Sequence, residues 1–135
     1  MKNPIRSVGN HAAVPAIVMV VEDEYFIRAM IADELRKSGF EVVECSSADE
    51  AMDVLNAGAN PSVIFSDIRM PGSMDGVKLA QIVSEQFPDI RVVLTSSHAP
   101  HDGFVAEQFI AKPYQIDAVI QCIDALLGTS SPPDC

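Results

Sequence analysis

Positive charge is what this chain has least of. Nine lysines and arginines stand against nineteen aspartates and glutamates, for a formal net charge of −10 over 135 residues. That balance excludes a protein that binds nucleic acid or anionic lipid nonspecifically, because both reward Lys and Arg. Long apolar runs are missing as well. The stretch Ala12 to Val21, preceded by Lys2 and Arg6, is too short to span a bilayer. It runs into Glu22-Asp23-Glu24 rather than the small-residue cleavage site of a signal peptide. Cysteine is scarce. Cys45, Cys122 and Cys135 are odd in number, widely spaced and in no CxxC or CxxH pattern, which argues against a disulfide framework or zinc site and predicts reduced thiols in a cytosolic protein. His11, His98 and His101 show no metal-ligand spacing. Repeats, low-complexity blocks and a second domain are absent. A hydrophobic fraction of 48% and a charged fraction of 21% are ordinary for one soluble domain with a proper core.

What the chain does have is a set of short apolar runs that each stop at polar chemistry. Ile17 to Val21 ends at Glu22-Asp23-Glu24. Val63-Ile64-Phe65-Ser66 ends at Asp67, Val92 to Thr95 ends at Ser96-Ser97, and Phe109-Ile110-Ala111 ends at Lys112-Pro113. Continuous apolar runs of this length, each followed by a helical pattern, predict parallel strands buried on both faces. A shorter alternating run, Phe40 to Glu44, predicts a strand nearer the sheet edge. Ile27, Met30, Ile31 and Leu35 lie at helical spacing between Glu24 and Ser38, with Gly39 as the stop. Ser47-Ala48-Asp49-Glu50 has the form of a capping box for a helix to about Asn56. Asp75 is placed to cap a helix that Pro88 ends, and the last helix carries Ile116, Val119, Ile120, Ile123 and Leu127 on one stripe up to Gly128.

Five strands alternating with helices predict an α/β fold, a doubly wound parallel sheet covered on both faces. Pattern alone does not set the strand order. The order 2-1-3-4-5 would make the first and third strands neighbours and bring Glu22, Asp23 and Asp67 to one crevice, at the carboxyl ends where open parallel sheets carry their function. Crowded carboxylates repel one another and call for a cation. Oxygen donors without His or Cys favour a hard ion such as Mg²⁺. A carboxylate beside Mg²⁺ and an amine can attack a phosphoryl group, both cations offsetting charge on its oxygens, and a Ser hydroxyl at the next strand end can donate to one of them.

These motifs resemble those of the receiver domains of two-component response regulators. The residues that carry the resemblance are Val20-Val21-Glu22-Asp23-Glu24, Ser66-Asp67-Ile68-Arg69-Met70-Pro71-Gly72 with Asp75-Gly76, Thr95-Ser96-Ser97, and Phe109-Ile110-Ala111-Lys112-Pro113. They span about residues 16 to 127. The resemblance implies a five-stranded sheet in the flavodoxin-like order 2-1-3-4-5. It implies that Asp67 takes a phosphoryl group from a histidine kinase or histidine phosphotransfer protein. Asp23, Asp67 and the backbone carbonyl of Arg69 would hold Mg²⁺, with Glu22 acting mostly through a water. Lys112 would pair with the phosphoryl charge, Ser96 would move to hydrogen-bond it, and Phe109 would change rotamer in concert. The implied protein is a cytoplasmic phosphoacceptor in a phosphorelay, not an enzyme beyond weak autophosphatase activity. It would signal through contact with a downstream protein, without direct contact to nucleic acid or membrane. Aiming the Lys112 amine inward while the chain turns into the last helix further suggests a cis bond at Lys112-Pro113.

Taken singly, each element has an ordinary reading. Glu22-Asp23-Glu24 can favour a helix N-terminus, Asp67 can be a turn residue, Ser96-Ser97 a strand-end turn, Phe109 core, and Lys112 a solvated amine. Independent turns would not supply matching chemistry at four strand ends. Two features depart from the family pattern. Ser73 lengthens the loop from Pro71 to Gly76 by one residue, and residues 98 to 107, with Pro100 and Gly103, leave room for about one helical turn, so the fourth helix is expected to be shortened or missing. Within it, residues 99 to 107 are expected to be the most mobile internal segment and to order on activation. The expected organisation is a flexible leader over 1–14, a receiver domain over 15–128 and a disordered tail over 129–135, a stand-alone type with no room for an output domain after Gly128. Two other functions share these residues: a phosphate sink that mainly hydrolyses its own acyl phosphate, and a pseudo-receiver adaptor that needs no phosphorylation. A flavodoxin-type cofactor binder shares the architecture, but no phosphate-cradling Gly/Ser/Thr loop follows the first strand.

Overall fold

A computed structural model describes residues 15–97 and 108–128. In chain order the elements are β1 (Ile17–Val21), α1 (Tyr25–Lys37), β2 (Glu41–Cys45), α2 (Ala48–Asn56), β3 (Val63–Asp67), α3 (Gly76–Gln86), β4 (Arg91–Ser96), β5 (Gln108–Ala111) and α4 (Ile116–Leu127). The strands form one sheet in the order β2-β1-β3-β4-β5, every neighbouring pair parallel. This is the doubly wound α/β fold expected from the apolar runs. The expectation of a shortened or missing helix between β4 and β5 falls on residues 98–107, and those of a leader and a tail fall on 1–14 and 129–135. All three lie outside the described residues.

Strand alternation divides the core into two layers. Met19, Val21, Ile64 and Leu94 pack under α2 and α3 with Leu55, Leu79 and Val83. Val18, Val20, Phe65 and Val93 pack under α1 and α4 with Ile31, Leu35, Val119 and Ile123. All five residues of β3 are buried, whereas the edge strand β2 is only partly covered. Two-sided burial is why the central runs lack polar alternation. Truncating a fully buried member such as Ile64 to Ala would cost about 2–5 kcal/mol.

Local signals place the helix ends. Gly39 ends α1 at φ +99°, a left-handed conformation that glycine adopts without a Cβ penalty. Ser47 accepts from the Glu50 amide at 3.0 Å to cap α2. The Glu50 carboxylate reaches one residue further back than in a capping box, accepting from the Ser46 amide at 2.6 Å and its hydroxyl at 2.9 Å. Asp75 accepts from the Lys78 amide at 2.9 Å and caps α3. The Lys112-Pro113 bond is cis, as expected.

The cysteines need a correction. Cys45 is a buried free thiol, its pKa pushed up to about 12 by burial and by the Glu50 charge, so it is inert. Cys122, expected to be reduced, is disulfide-bonded. Sequence spacing does not report which sulfurs a fold brings within bonding reach.

Gly76 is where α3 meets the end of β3. Its amide donates to the Ile68 carbonyl at 2.8 Å. A Cβ at this position would overlap the Asp67 carbonyl oxygen and stand 2.9 Å from Ile68 Cα. Gly76→Ala is therefore expected to lower stability by about 1–3 kcal/mol through overpacking against backbone, read as a lower urea midpoint with unchanged slope.

Candidate functional site

Because the strands are parallel, their carboxyl ends share one edge of the sheet, and the register lines those ends up. Val21 pairs with Ser66, so Glu22 and Asp23 follow β1 beside Asp67 at the end of β3. Asp67 pairs with Thr95, and Ser96 pairs with Ala111, which precedes Lys112.

Four of the expected site residues meet in space. Carboxylate oxygens of Glu22, Asp23 and Asp67 all lie within 4.8 Å of one another. Lys112 donates through Nζ to Asp67 Oδ2 at 2.7 Å, an ion pair joining β5 to β3. The Arg69 amide donates to Asp67 Oδ1 at 3.2 Å, so its backbone sits at the pocket while its side chain faces solvent. Ser96 is buried at the next strand end. Phe109 is half-buried and packs against the core layer under α2 and α3.

Charge in this pocket is unbalanced. Glu22 is only 4% exposed. Burial raises its pKa despite the hydrogen bond its carboxylate accepts from the Glu24 amide at 3.0 Å, and the Asp67 charge raises it further. Burial also works against charge on Lys112, but the Asp67 hydrogen bond and the Asp67, Glu22 and Asp23 charges outweigh it, so its pKa is raised and the amine stays cationic. One ammonium facing three carboxylates leaves room for more positive charge. The donors are all hard oxygens, two of the three carboxylates held out of water, and this set fits a divalent cation such as Mg²⁺.

Several residues around the pocket were given no role from the sequence. Tyr114 packs edge-on against Phe65 with ring centroids 6.0 Å apart. Its phenol is pushed up to about 12 by burial, with the Glu22 and Asp67 charges adding to the shift. Its place directly after Lys112-Pro113 was the available signal. The Thr95 hydroxyl is buried with no hydrogen-bond partner among the described residues. Arg28 donates to the Glu22 carbonyl at 2.9 Å, lies 3.5 Å from Glu44 and sits over the Tyr25 ring at 5.5 Å. Nothing in the sequence pattern marks those contacts.

Comparison with known proteins agrees with this geometry. The family model of the response regulator receiver domain matches residues 18–124. The chain is 34% identical over 115 residues to the DNA-binding transcriptional regulator NtrC of Proteus hauseri, a match covering 79% of this chain and 24% of that protein. It thus spans about a quarter of that relative's length. It is 31% identical over 118 residues to the chemotaxis protein CheY of Bacillus subtilis, covering 82% of this chain and 97% of that protein. The crystal structure of a response regulator receiver protein from Sinorhizobium medicae superposes with a TM-score of 0.77 at 26% identity, covering 84% of this chain and 94% of that one.

The raised pKa of Glu22 makes a prediction whose sign can be worked out. A carboxyl whose folded pKa lies above its unfolded value contributes stability below the unfolded value and loses it as pH rises through the folded one. Ionised Glu22 is therefore a cost at neutral pH. Glu22→Gln keeps an oxygen for the Glu24 amide and removes the charge. In metal-free buffer the variant should melt higher than the wild type at neutral pH, and the gap should close below about pH 4, where the wild-type carboxyl is neutral too. Thermal melts at the two pH values check it.

Proposed function

Because the chain belongs to the response regulator receiver domain family, we propose that it is the phosphoacceptor of a two-component phosphorelay and that Asp67 is the residue phosphorylated. The observation that carries this is the placement of the Asp67 carboxylate, 2.7 Å from the Lys112 amine and within the Glu22 and Asp23 oxygen cluster. Lys112 binds one oxygen of Asp67 and the Arg69 amide the other, which orients the carboxylate as a nucleophile. Attack on a phosphohistidine donor forms the Asp67 O–P bond and breaks the donor's P–N bond, leaving the electron pair on the imidazole. Lys112 then faces the added negative charge. Asp23, Asp67 and the Arg69 carbonyl would hold Mg²⁺, with Glu22 acting mostly through water, and the ion supplies positive charge beside the phosphoryl oxygens when bound. Ser96 donates its hydroxyl to the phosphoryl group, and Phe109 changes rotamer with it.

The family is one of signalling domains, and the partners in this reading are a histidine kinase or histidine phosphotransfer protein and a downstream protein. Next to the pocket, the first turns of α1 expose Phe26 at 83%, Tyr25 at 62% and Met30 at 47%, an apolar patch of the kind that marks a protein contact. The likeness to the chemotaxis protein CheY over nearly all of that protein supports a signalling role. In the same reading residues 15–128 form the receiver unit. No helix among the described residues is long and apolar enough to cross a membrane. A cytoplasmic location belongs to this proposal.

Loading with acetyl phosphate or beryllium fluoride tests the assignment. Mass spectrometry should find the acyl phosphate at Asp67 only with Mg²⁺ present, and Asp67→Asn should not load; equal loading of that variant would sink the proposal. Asp23→Ala should weaken Mg²⁺ binding more than Glu22→Ala. Phe26→Ala should slow transfer from any histidine kinase that phosphorylates the wild type, while loading by acetyl phosphate stays unchanged.

A further inference from the structure

We propose that Asp49, on a helix that contributes nothing else to the pocket, is a positioning residue that sets the loop carrying the Arg69 carbonyl. The inference rests on the reading of that carbonyl as a Mg²⁺ ligand. The loop between β3 and α3 is fastened at its base by the Ile68 amide donating to the Thr95 carbonyl at 3.0 Å and the Gly76 amide donating to the Ile68 carbonyl at 2.8 Å. Its tip is fastened from outside. Asp49, in the first turn of α2, accepts from the Ser73 amide at 3.0 Å through Oδ2 and from the Ser73 hydroxyl at 2.5 Å through Oδ1. Both carboxylate oxygens are thus engaged by one loop residue, 24 positions away in the chain.

The backbone lies flush against that carboxylate. Gly72 has φ +110°, and a Cβ there would stand 2.5 Å from Asp49 Oδ2. Only glycine fits both the left-handed conformation and the close approach. The Ser73 bonds also hold the Asp49 carboxyl below the usual carboxylate range, so it is ionised when it grips the loop.

The helix behind Asp49 does not move easily. Ala48, Ala51, Met52 and Leu55 are buried in the core, and Ser47 and Glu50 close its first turn. Arg69 and Ser73 belong to the same short loop, so fixing the tip removes conformations in which the Arg69 carbonyl turns away from Asp67. Preorganising a ligand before the cation arrives is what an outer support contributes to metal affinity.

The test is Mg²⁺ titration by calorimetry on the wild type, Asp49→Ala, Ser73→Ala and the double variant, alongside metal-free amide exchange at Ser73 and urea unfolding. Asp49→Ala should weaken Mg²⁺ about tenfold, the low end for supporting residues, and should speed Ser73 exchange without metal, with little change in the urea midpoint. Ser73→Ala keeps the backbone bond and should lose less. The double variant should bind no more weakly than Asp49→Ala, since both remove one contact. Unchanged Mg²⁺ affinity in Asp49→Ala, or independent additive losses, would overturn the proposal. If Asp49→Ala fails to fold, Ser73→Ala decides by the same two readouts. A wild type that binds no Mg²⁺ overturns the phosphoacceptor reading and this inference with it; a wild type that binds while the variants match it overturns this inference alone.

Discussion

The pairing of β1 with β3, in the register that sets Val21 against Ser66, brings Glu22-Asp23 and Asp67 together although they are far apart in the chain. The chain leaves β1, builds β2 on one side and crosses back to lay β3 on the other. The connections after β1 and β3 therefore diverge, and the crevice between them is where parallel sheets of this kind carry ligands. Slipping the register by one residue would turn Asp67 to the opposite face of the sheet. Core packing on both faces of β3 prevents that slip, so the residues that make the fold stable also aim the carboxylate.

Within that crevice the energetics run against the apo protein. Glu22 is carried into a nearly dry position, and Asp67 adds repulsion. Lys112 answers part of the charge, and its pKa shift shows that attraction exceeds the burial penalty on the amine. What is left over is negative charge on hard oxygens facing a common point. A site that is electrostatically incomplete without a cation is suited to a reaction that brings in more negative charge and needs it offset.

Backbone contacts hold the same region at close range. Gly76 lets α3 begin against the Asp67 carbonyl, and Gly72 lets the loop lie on Asp49. On the other flank Arg28 braces the Glu22 carbonyl and touches Glu44 of β2, tying α1 and the edge strand to the pocket. The pocket's carboxylates thus sit at strand ends, while helices α1 and α2 steady the loops that follow them.

The sequence by itself determined the elements and their chemical ends. Burial on both faces forces runs such as Val63 to Phe65 to be apolar throughout, so their stops at Asp67, at Ser96 and at Lys112 could be read directly. The caps at Ser47 and Asp75 and the stop at Gly39 were legible because capping depends on residues within one turn. Only the tertiary structure decided what lies beside what. Periodicity reports which face a residue takes but not its partner across space. The strand order needed the resemblance or the fold, and the partners of Lys112 at Asp67 and of Asp49 at Ser73 left no mark in local pattern. Those contacts join distant segments of chain, and they exist because the packed sheet and helices close the distance between them.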